Sequence, residues 1–226
     1  MKSFFNSYGI NLSEKQLLMF EKYYELLIFY NEKFNITAIT NKEEVYKKHF
    51  VDSILGAEFF DKGRLLDVGS GGGFPAIPLK IFNDELCVTM LEATGKKCEF
   101  LRAVINELNL INIDVVNDRA ELLAKNNSYR ESFDYCTARA VAMLNTLCEY
   151  CIPFVKKGGY FIAFKGDAEE EIVEAKKAIK ILGGEIDKVK EYNLDDAKRT
   201  LIKIKKISET DKKYPRGNGK ERKNPL

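Results

Sequence analysis

The chain has 226 residues, of which 45% are hydrophobic and 31% charged, and a formal net charge of +2. That length suits one well-buried domain with an extension and argues against two independent cores. The near-neutral balance excludes a global field for nucleic acid, so an RNA partner must be met by a local basic patch.

Residues 1–60 read as a helical extension. Ser13 and Gln16 form a capping box, and Leu17, Phe20, Tyr24 and Leu27 recur on one helix face. Asn35–Ile39 breaks the pattern, and Asn41 with Glu44 restarts a helix carrying Val45, His49, Phe50 and Ile54. The longest apolar run, near Phe59 and Phe60, is cut by Asp61 and Lys62, so no membrane span is expected. Met1–Asn6 lacks the pattern of a secretory leader. The five cysteines are odd in number, and most lie in apolar segments, so reduced thiols in the cytoplasm are expected. Cys148 and Cys151 form a lone Cys-x-x-Cys with no second pair and read as core thiols rather than a metal site.

From residue 61 to 208 strands and helices alternate, which predicts a mostly parallel sheet covered on both faces. The strands fall at Arg64–Val68, Leu86–Glu92, Ile113–Asn117, Phe133–Ala140 and Tyr160–Gly166, with Lys156–Gly159 as a turn before the fifth. Helices follow at Lys96–Leu108, around Leu144 and Leu147, and from Asp167 to Gly183. Two further β-patterned segments, Glu185–Tyr192 and Thr200–Ile207, suggest an antiparallel edge hairpin. Residues 209–226 are basic and rich in glycine and proline, the composition of a flexible tail.

The first strand runs into Gly69-Ser-Gly-Gly-Gly-Phe-Pro75, a loop that brings bare backbone towards a ligand. Ligands of open α/β sheets lie beyond the carboxyl ends of the strands. Asp67, Glu92 and Arg119–Glu121 mark those ends, and with Gly71 they describe a nucleoside site. Glu92 suits ribose hydroxyls, and Asp67 suits the cationic end of S-adenosylmethionine. Either acid could instead cap the helix that follows it. A dinucleotide pattern is also met, as Gly71-x-Gly73-x-x-Ala76 with Glu92 about twenty residues on, so a nicotinamide-dependent oxidoreductase stays open. Asp67 and Pro75 argue for the methyl donor, since a strand-end acid repels pyrophosphate. Arg139 either contacts cofactor or RNA or pairs with Asp67 or Glu121.

Several segments in order, Phe34–Ile39, His49–Ile54, Leu66–Pro78, Asp118–Glu121, Ala138–Ala140, Phe164–Gly166 and Lys213–Arg216, resemble the RsmG (GidB) 16S ribosomal RNA methyltransferases over nearly the whole chain. The resemblance implies a class I S-adenosylmethionine-dependent, Rossmann-like fold with seven strands, the last antiparallel. It implies methylation of N7 of one guanosine near the decoding centre, in 16S RNA or a small-subunit precursor. Cofactor contacts carried over by position fall on Gly69, Phe74, Ala120, Glu121 and Arg139. Ala76 departs from the family's usual glycine. Candidate RNA contacts are Lys165, Arg199, Lys213 and Arg216, with Lys212, Lys220, Arg222 and Lys223 nearby and Tyr214 available to stack. No catalytic base and no metal are nominated, and a monomer is expected. A non-catalytic ribosome-assembly protein is the remaining alternative.

Overall fold

In the computed structural model, which describes residues 1–226, two helices open the chain, α1 (Lys2–Asn6) and α2 (Glu14–Phe34). The Ser13–Gln16 capping box forms as expected and starts α2. The helix buries Phe20, Tyr23 and Leu27 rather than Tyr24, whose hydroxyl instead donates to Thr40 O at 3.1 Å. Both tyrosines fit a three-to-four-residue period, and packing selects between them.

After the break, α3 (Lys42–Val45) is capped by Asn41 and passes through a π-helical turn, Tyr46–Val51, into α4 (Asp52–Ile54). Such widened turns are rare and frequently lie at functional sites. This one carries His49 and delivers Asp52 one turn later.

The remaining chain alternates as β1 (Gly63–Val68), α5 (Ala76–Phe82), β2 (Leu86–Glu92), α6 (Gly95–Glu107), β3 (Ile113–Asn117), α7 (Ala120–Leu123), β4 (Phe133–Arg139) and α8 (Leu144–Cys151). It continues through β5 (Val155–Lys165), α9 (Glu169–Ile181), β6 (Gly184–Leu194), β7 (Ala197–Lys206) and α10 (Lys220–Lys223). The seven strands lie in the order β3-β2-β1-β4-β5-β7-β6. Only β7 runs antiparallel to its neighbours, inserted between β5 and β6. Strand order therefore reverses beside β1, between β2 and β4, which places a ligand crevice at the carboxyl end of β1. The edge hairpin forms, with Leu194 and Ala197 paired across its turn. The Lys156–Gly159 stretch is not a separate turn: it is the bulged start of β5, where the register against Phe133 and Tyr135 shifts.

Two hydrophobic clusters cover the two faces of the sheet. One joins the aromatic side chains of the extension (Phe5, Phe20, Tyr23 and Phe50) to Phe74, Ile77, Phe100 and Leu101 of the α5–α6 face. The other packs Leu147, Cys148, Cys151, Phe154 and Ile179 of the α8–α9 face. Cys98, Cys136, Cys148 and Cys151 are buried free thiols.

The basic segment after β7 does not extend into solvent as its composition predicts. Its backbone carbonyls and Arg216 find internal partners, and these define its path. Arg130 donates to the carbonyls of Tyr214, at 2.9 Å, and Thr210, at 2.8 Å. Arg216 makes a forked pair with Glu149, which is fully buried in α8. Composition counts charges, whereas order depends on whether each charge meets a partner.

Candidate functional site

The glycine loop is held from three sides. From the sheet, the amides of Gly69 and Ser70 donate to Leu91 O at 2.8 and 3.2 Å. From β2, the Glu92 carboxylate accepts from Gly71 N at 2.9 Å and from Thr94 N at 2.8 Å. From the helical extension, the Tyr23 hydroxyl donates to Gly72 O. Burial pushes the Tyr23 phenol well above its ordinary pKa, so it stays a donor. Gly73 sits at φ +86°, where an added Cβ would lie 2.6 Å from that hydroxyl. Above Gly71, by contrast, the nearest atom to an added Cβ is Gly69 O at 3.8 Å, so the loop leaves open space there.

Asp67 lies beneath this loop with no solvent exposure, and neither carboxylate oxygen has a hydrogen-bond partner. The Ser70 hydroxyl donates to the Asp67 carbonyl at 3.0 Å rather than to the carboxylate. Burial pushes the Asp67 carboxyl up to about 7, although the Arg139 charge pulls the other way. A buried acid without a partner is costly and is the group on which a cationic ligand acts most strongly.

Arg139, at the end of β4, pairs with neither Asp67 nor Glu121. Its guanidinium donates to Asp52 at 3.0 Å, to Lys48 O at 3.1 Å and to His49 Nδ1 at 3.0 Å. Asp52 also accepts from Tyr192 at 3.0 Å and faces Arg199 Nε at 3.3 Å. Tyr192 and Arg199 are cross-strand partners in the β6–β7 hairpin, so one register delivers both. The His49 ring stacks on Phe74 at 4.3 Å between centroids and 16° between planes, with Arg139 5.1 Å from the same ring.

The protonation of His49 follows from its neighbours. Arginine can only donate, so Nδ1 must accept, and the ring proton sits on Nε2, 3.0 Å from Thr37 Oγ1. Burial and the adjacent Arg139 lower its pKa to about 3, so the ring is neutral.

The segment linking β4 to α8 separates two cavities. Ala140 adopts φ +58°, and the Val141 side chain rests against Gly69. On one side, a cavity of about 210 Å³ is lined by Val68, Gly69, Leu91, Ala120 and Val141 together with Asp118 and Glu121. On the other, a cavity of about 340 Å³ is lined by His49, Asp52, Arg139, Phe164, Lys165 and Arg199. Lys165 donates to Ala142 O at 2.9 Å and pairs with Glu171 at 2.7 Å.

The sequence-predicted residues are thus distributed unequally. Gly69, Ala120 and Glu121 share the first cavity, while Arg139, Lys165 and Arg199 share the second. Gly71 and Glu92 are bonded to one another, Asp67 lies under them, and Phe74 is buried in the aromatic stack. Lys213 pairs with Asp211 at 3.2 Å, and neither it nor Arg216 lines either cavity. Sequence reasoning missed Asp52 and Tyr23. The signal for Asp52 was its position one turn after His49, on the same face of the restarted helix.

A sheet of this order with one antiparallel strand, and acids at the ends of β1 and β2 around a glycine loop, is the architecture of class I S-adenosylmethionine-dependent methyltransferases. A solved SAM-dependent methyltransferase from Aquifex aeolicus matches with a TM-score of 0.58 at 17% identity, covering 75% of this chain and 96% of that one. The family model described as rRNA small subunit methyltransferase G matches residues 16–202. Two curated proteins named ribosomal RNA small subunit methyltransferase G are close relatives. The Lactobacillus acidophilus protein is 47% identical over 98% of this chain and 95% of its own length. The Acetivibrio thermocellus protein is 48% identical over 98% of this chain and 93% of its own length. The chain belongs to the rRNA small subunit methyltransferase G family.

Its cofactor is S-adenosylmethionine, and the residues present fit that molecule. The unpartnered Asp67 carboxylate offers a counter-charge to ammonium and sulfonium, and the apolar-walled cavity beside Gly69 offers a slot for an adenosine moiety. Neither the dinucleotide nor the non-catalytic alternative finds support among these relatives.

Proposed function

We propose that the chain transfers a methyl group to N7 of a guanosine in small-subunit ribosomal RNA, with the acceptor base entering the cavity lined by His49, Phe164 and Arg199. One observation carries this reading: that cavity contains no free base. Both nitrogens of its histidine are engaged, and its two carboxylates, Asp52 and Glu171, are each held by cations. An acceptor that had to lose a proton would find nothing to take it. Guanine N7 presents an in-plane lone pair and no proton, so it needs none.

Bound S-adenosylmethionine supplies the electrophilic methyl. The protein's contribution is to hold nucleophile and methyl on one axis and to exclude water. Arg139, braced by Asp52 and lying over the Phe74 ring, fixes the wall between the two cavities. Four cations (Lys48, Arg139, Lys165 and Arg199) against two carboxylates leave a positive lining, which suits a nucleotide and its phosphates. Lys165 and Arg199 are the RNA contacts this favours, with Lys213 as an exposed outlying contact.

Glu92 and Gly71 act together in this reading: the carboxylate fixes the loop amide, leaving its outer lone pairs for ribose hydroxyls. No helix is long and apolar enough to cross a membrane. With both cavities built from one chain, a cytoplasmic monomer acting on the RNA or on a precursor particle is the form we propose.

Incubation with tritiated S-adenosylmethionine and unmodified small-subunit RNA or particles, followed by mapping of the label, tests the assignment. Label on N7 of a single guanosine is expected. Label on an exocyclic amine, a ribose or a protein would contradict it.

A further inference from the structure

The basic segment after β7 is an RNA candidate by charge, yet one of its residues lines the other cavity. Arg222 borders the pocket that holds Gly69, Ala120 and Glu121. Its Nη2 donates to Val141 O at 3.3 Å, and Val141 is the residue whose side chain rests on Gly69. Tyr150 and Glu121, from the α8 and α7 sides, line the same pocket, and Arg222 borders it together with them.

The path that brings Arg222 there is built rather than loose. Arg216 clips onto the fully buried Glu149 through its amide and its guanidinium. Gly217, Asn218 and Gly219 then take three successive positive φ values, 77°, 58° and 72°, which turn the chain back sharply. Glu221 is fully buried: one carboxylate oxygen accepts from Gly217 N, and its carbonyl accepts from Thr146 Oγ1 at 2.9 Å. Its second oxygen has no hydrogen-bond partner, so the fold tolerates a buried acid in order to seat α10 on α8. Arg216 therefore faces the protein, and Arg222, though solvent-exposed like Lys212, Lys213, Lys220 and Lys223, reaches back to Val141 O at the mouth of the pocket.

We propose that residues 210–224 form a strap that completes the cofactor pocket, with Arg222 closing its adenosine end. The proposal rests on the S-adenosylmethionine reading of that pocket. A guanidinium is planar, weakly hydrated and able to lie against the π face of a heteroaromatic base, which lysine does poorly. Through Val141 O it also steadies the segment that separates cofactor from acceptor.

Calorimetry on the full chain tests this with two probes, S-adenosylhomocysteine and 5′-methylthioadenosine, the second retaining the adenosine but lacking the amino-acid end. Binding of S-adenosylhomocysteine by the unmodified protein checks the underlying reading first, so the two failures are distinguishable. Arg222→Ala is expected to weaken both probes by about five- to twenty-fold, in keeping with the loss of one stacked cation. Arg222→Lys should recover only part of that affinity. Glu149→Gln, which loosens the strap at a distance from the pocket, should weaken both probes in the same ratio. Retention of small-subunit RNA by Arg222→Ala should stay within about two-fold, since one cation among many phosphate contacts contributes little. Unchanged affinity for both probes in Arg222→Ala, or a loss seen only with S-adenosylhomocysteine, would overturn the proposal.

Discussion

The two cavities on either side of Val141 are built by different means. The side we assign to the cofactor adjoins a loop fixed by backbone and strand-end acids: Leu91 O, the Gly71 amide, Glu92 and the buried Asp67, with most of these groups donated by β1, β2 and the loop between β1 and α5. The side we assign to the acceptor is made from long-range charge pairs, in which a single carboxylate of the helical extension, Asp52, holds Arg139 of β4, Tyr192 of β6 and Arg199 of β7. A generic ligand can be recognised by local backbone geometry. A particular RNA needs side chains collected from distant parts of the fold.

That contrast can be broken most forcefully at Asp52. Asp52→Ala removes the buried carboxylate that two partly buried arginines share, and losing one partner of a buried pair typically costs about 3–5 kcal/mol. We expect a comparable fall in unfolding free energy by urea titration, together with loss of methyl transfer. A destabilisation below about 1 kcal/mol would mean the pairs are solvated and the acceptor wall is not organised by this residue.

On the cofactor side, Glu92→Gln removes the charge from two amide contacts and lets its amide oxygen serve only one of them well. Hydrogen bonds to charged groups contribute about 1.5–3 kcal/mol, so S-adenosylhomocysteine affinity should fall roughly ten- to a hundred-fold. RNA retention should be unaffected, and an equal loss of both would dissolve the distinction between the cavities.

Tyr23→Phe probes the hydrogen bond by which the extension holds the glycine loop. Removing the hydroxyl leaves the Gly72 carbonyl buried without that donor. A loss of about 1–2 kcal/mol in stability is expected. A modest rise in the cofactor dissociation constant should accompany it.

A further contrast concerns pH. Asp67 is raised towards 7 by burial, so the folded apo-protein holds a proton there that the unfolded chain releases near the ordinary carboxylate value. Its contribution therefore lowers stability as pH rises from about 4 to about 7. His49 acts in the opposite sense: its folded pKa of about 3 lies below the ordinary value, so stability falls as pH drops through the interval between them. A cationic cofactor favours ionised Asp67, so binding should release a proton and tighten as pH rises towards 7. Calorimetry in buffers of different ionisation heat should show that release, and Asp67→Asn should abolish it.

The same contrast explains what could be read from the sequence. The strands, the glycine loop and the acids at the ends of β1 and β2 are local patterns, and each was legible from a few consecutive residues. Asp52 could not be weighed from its neighbours alone, because its partners lie on β4, β6 and β7. The choice of Tyr23 over Tyr24 was likewise invisible to periodicity, since both fit the helix face and only contact with the glycine loop separates them. The basic segment misled by composition: Arg216 looks solvated by its type, but the buried Glu149 receives it, and even the exposed Arg222 reaches back to the carbonyl of Val141.

The central claim is that the acceptor brings its own lone pair and the protein supplies no base. Its most direct test is the pH dependence of single-turnover methyl transfer to small-subunit RNA at saturating cofactor. From about pH 6 to 9 the rate should be flat, since no group in the acceptor cavity must change protonation for reaction. A tenfold rise per pH unit below some pKa in that interval, abolished by replacing one carboxylate or His49, would reveal a working base and contradict the account.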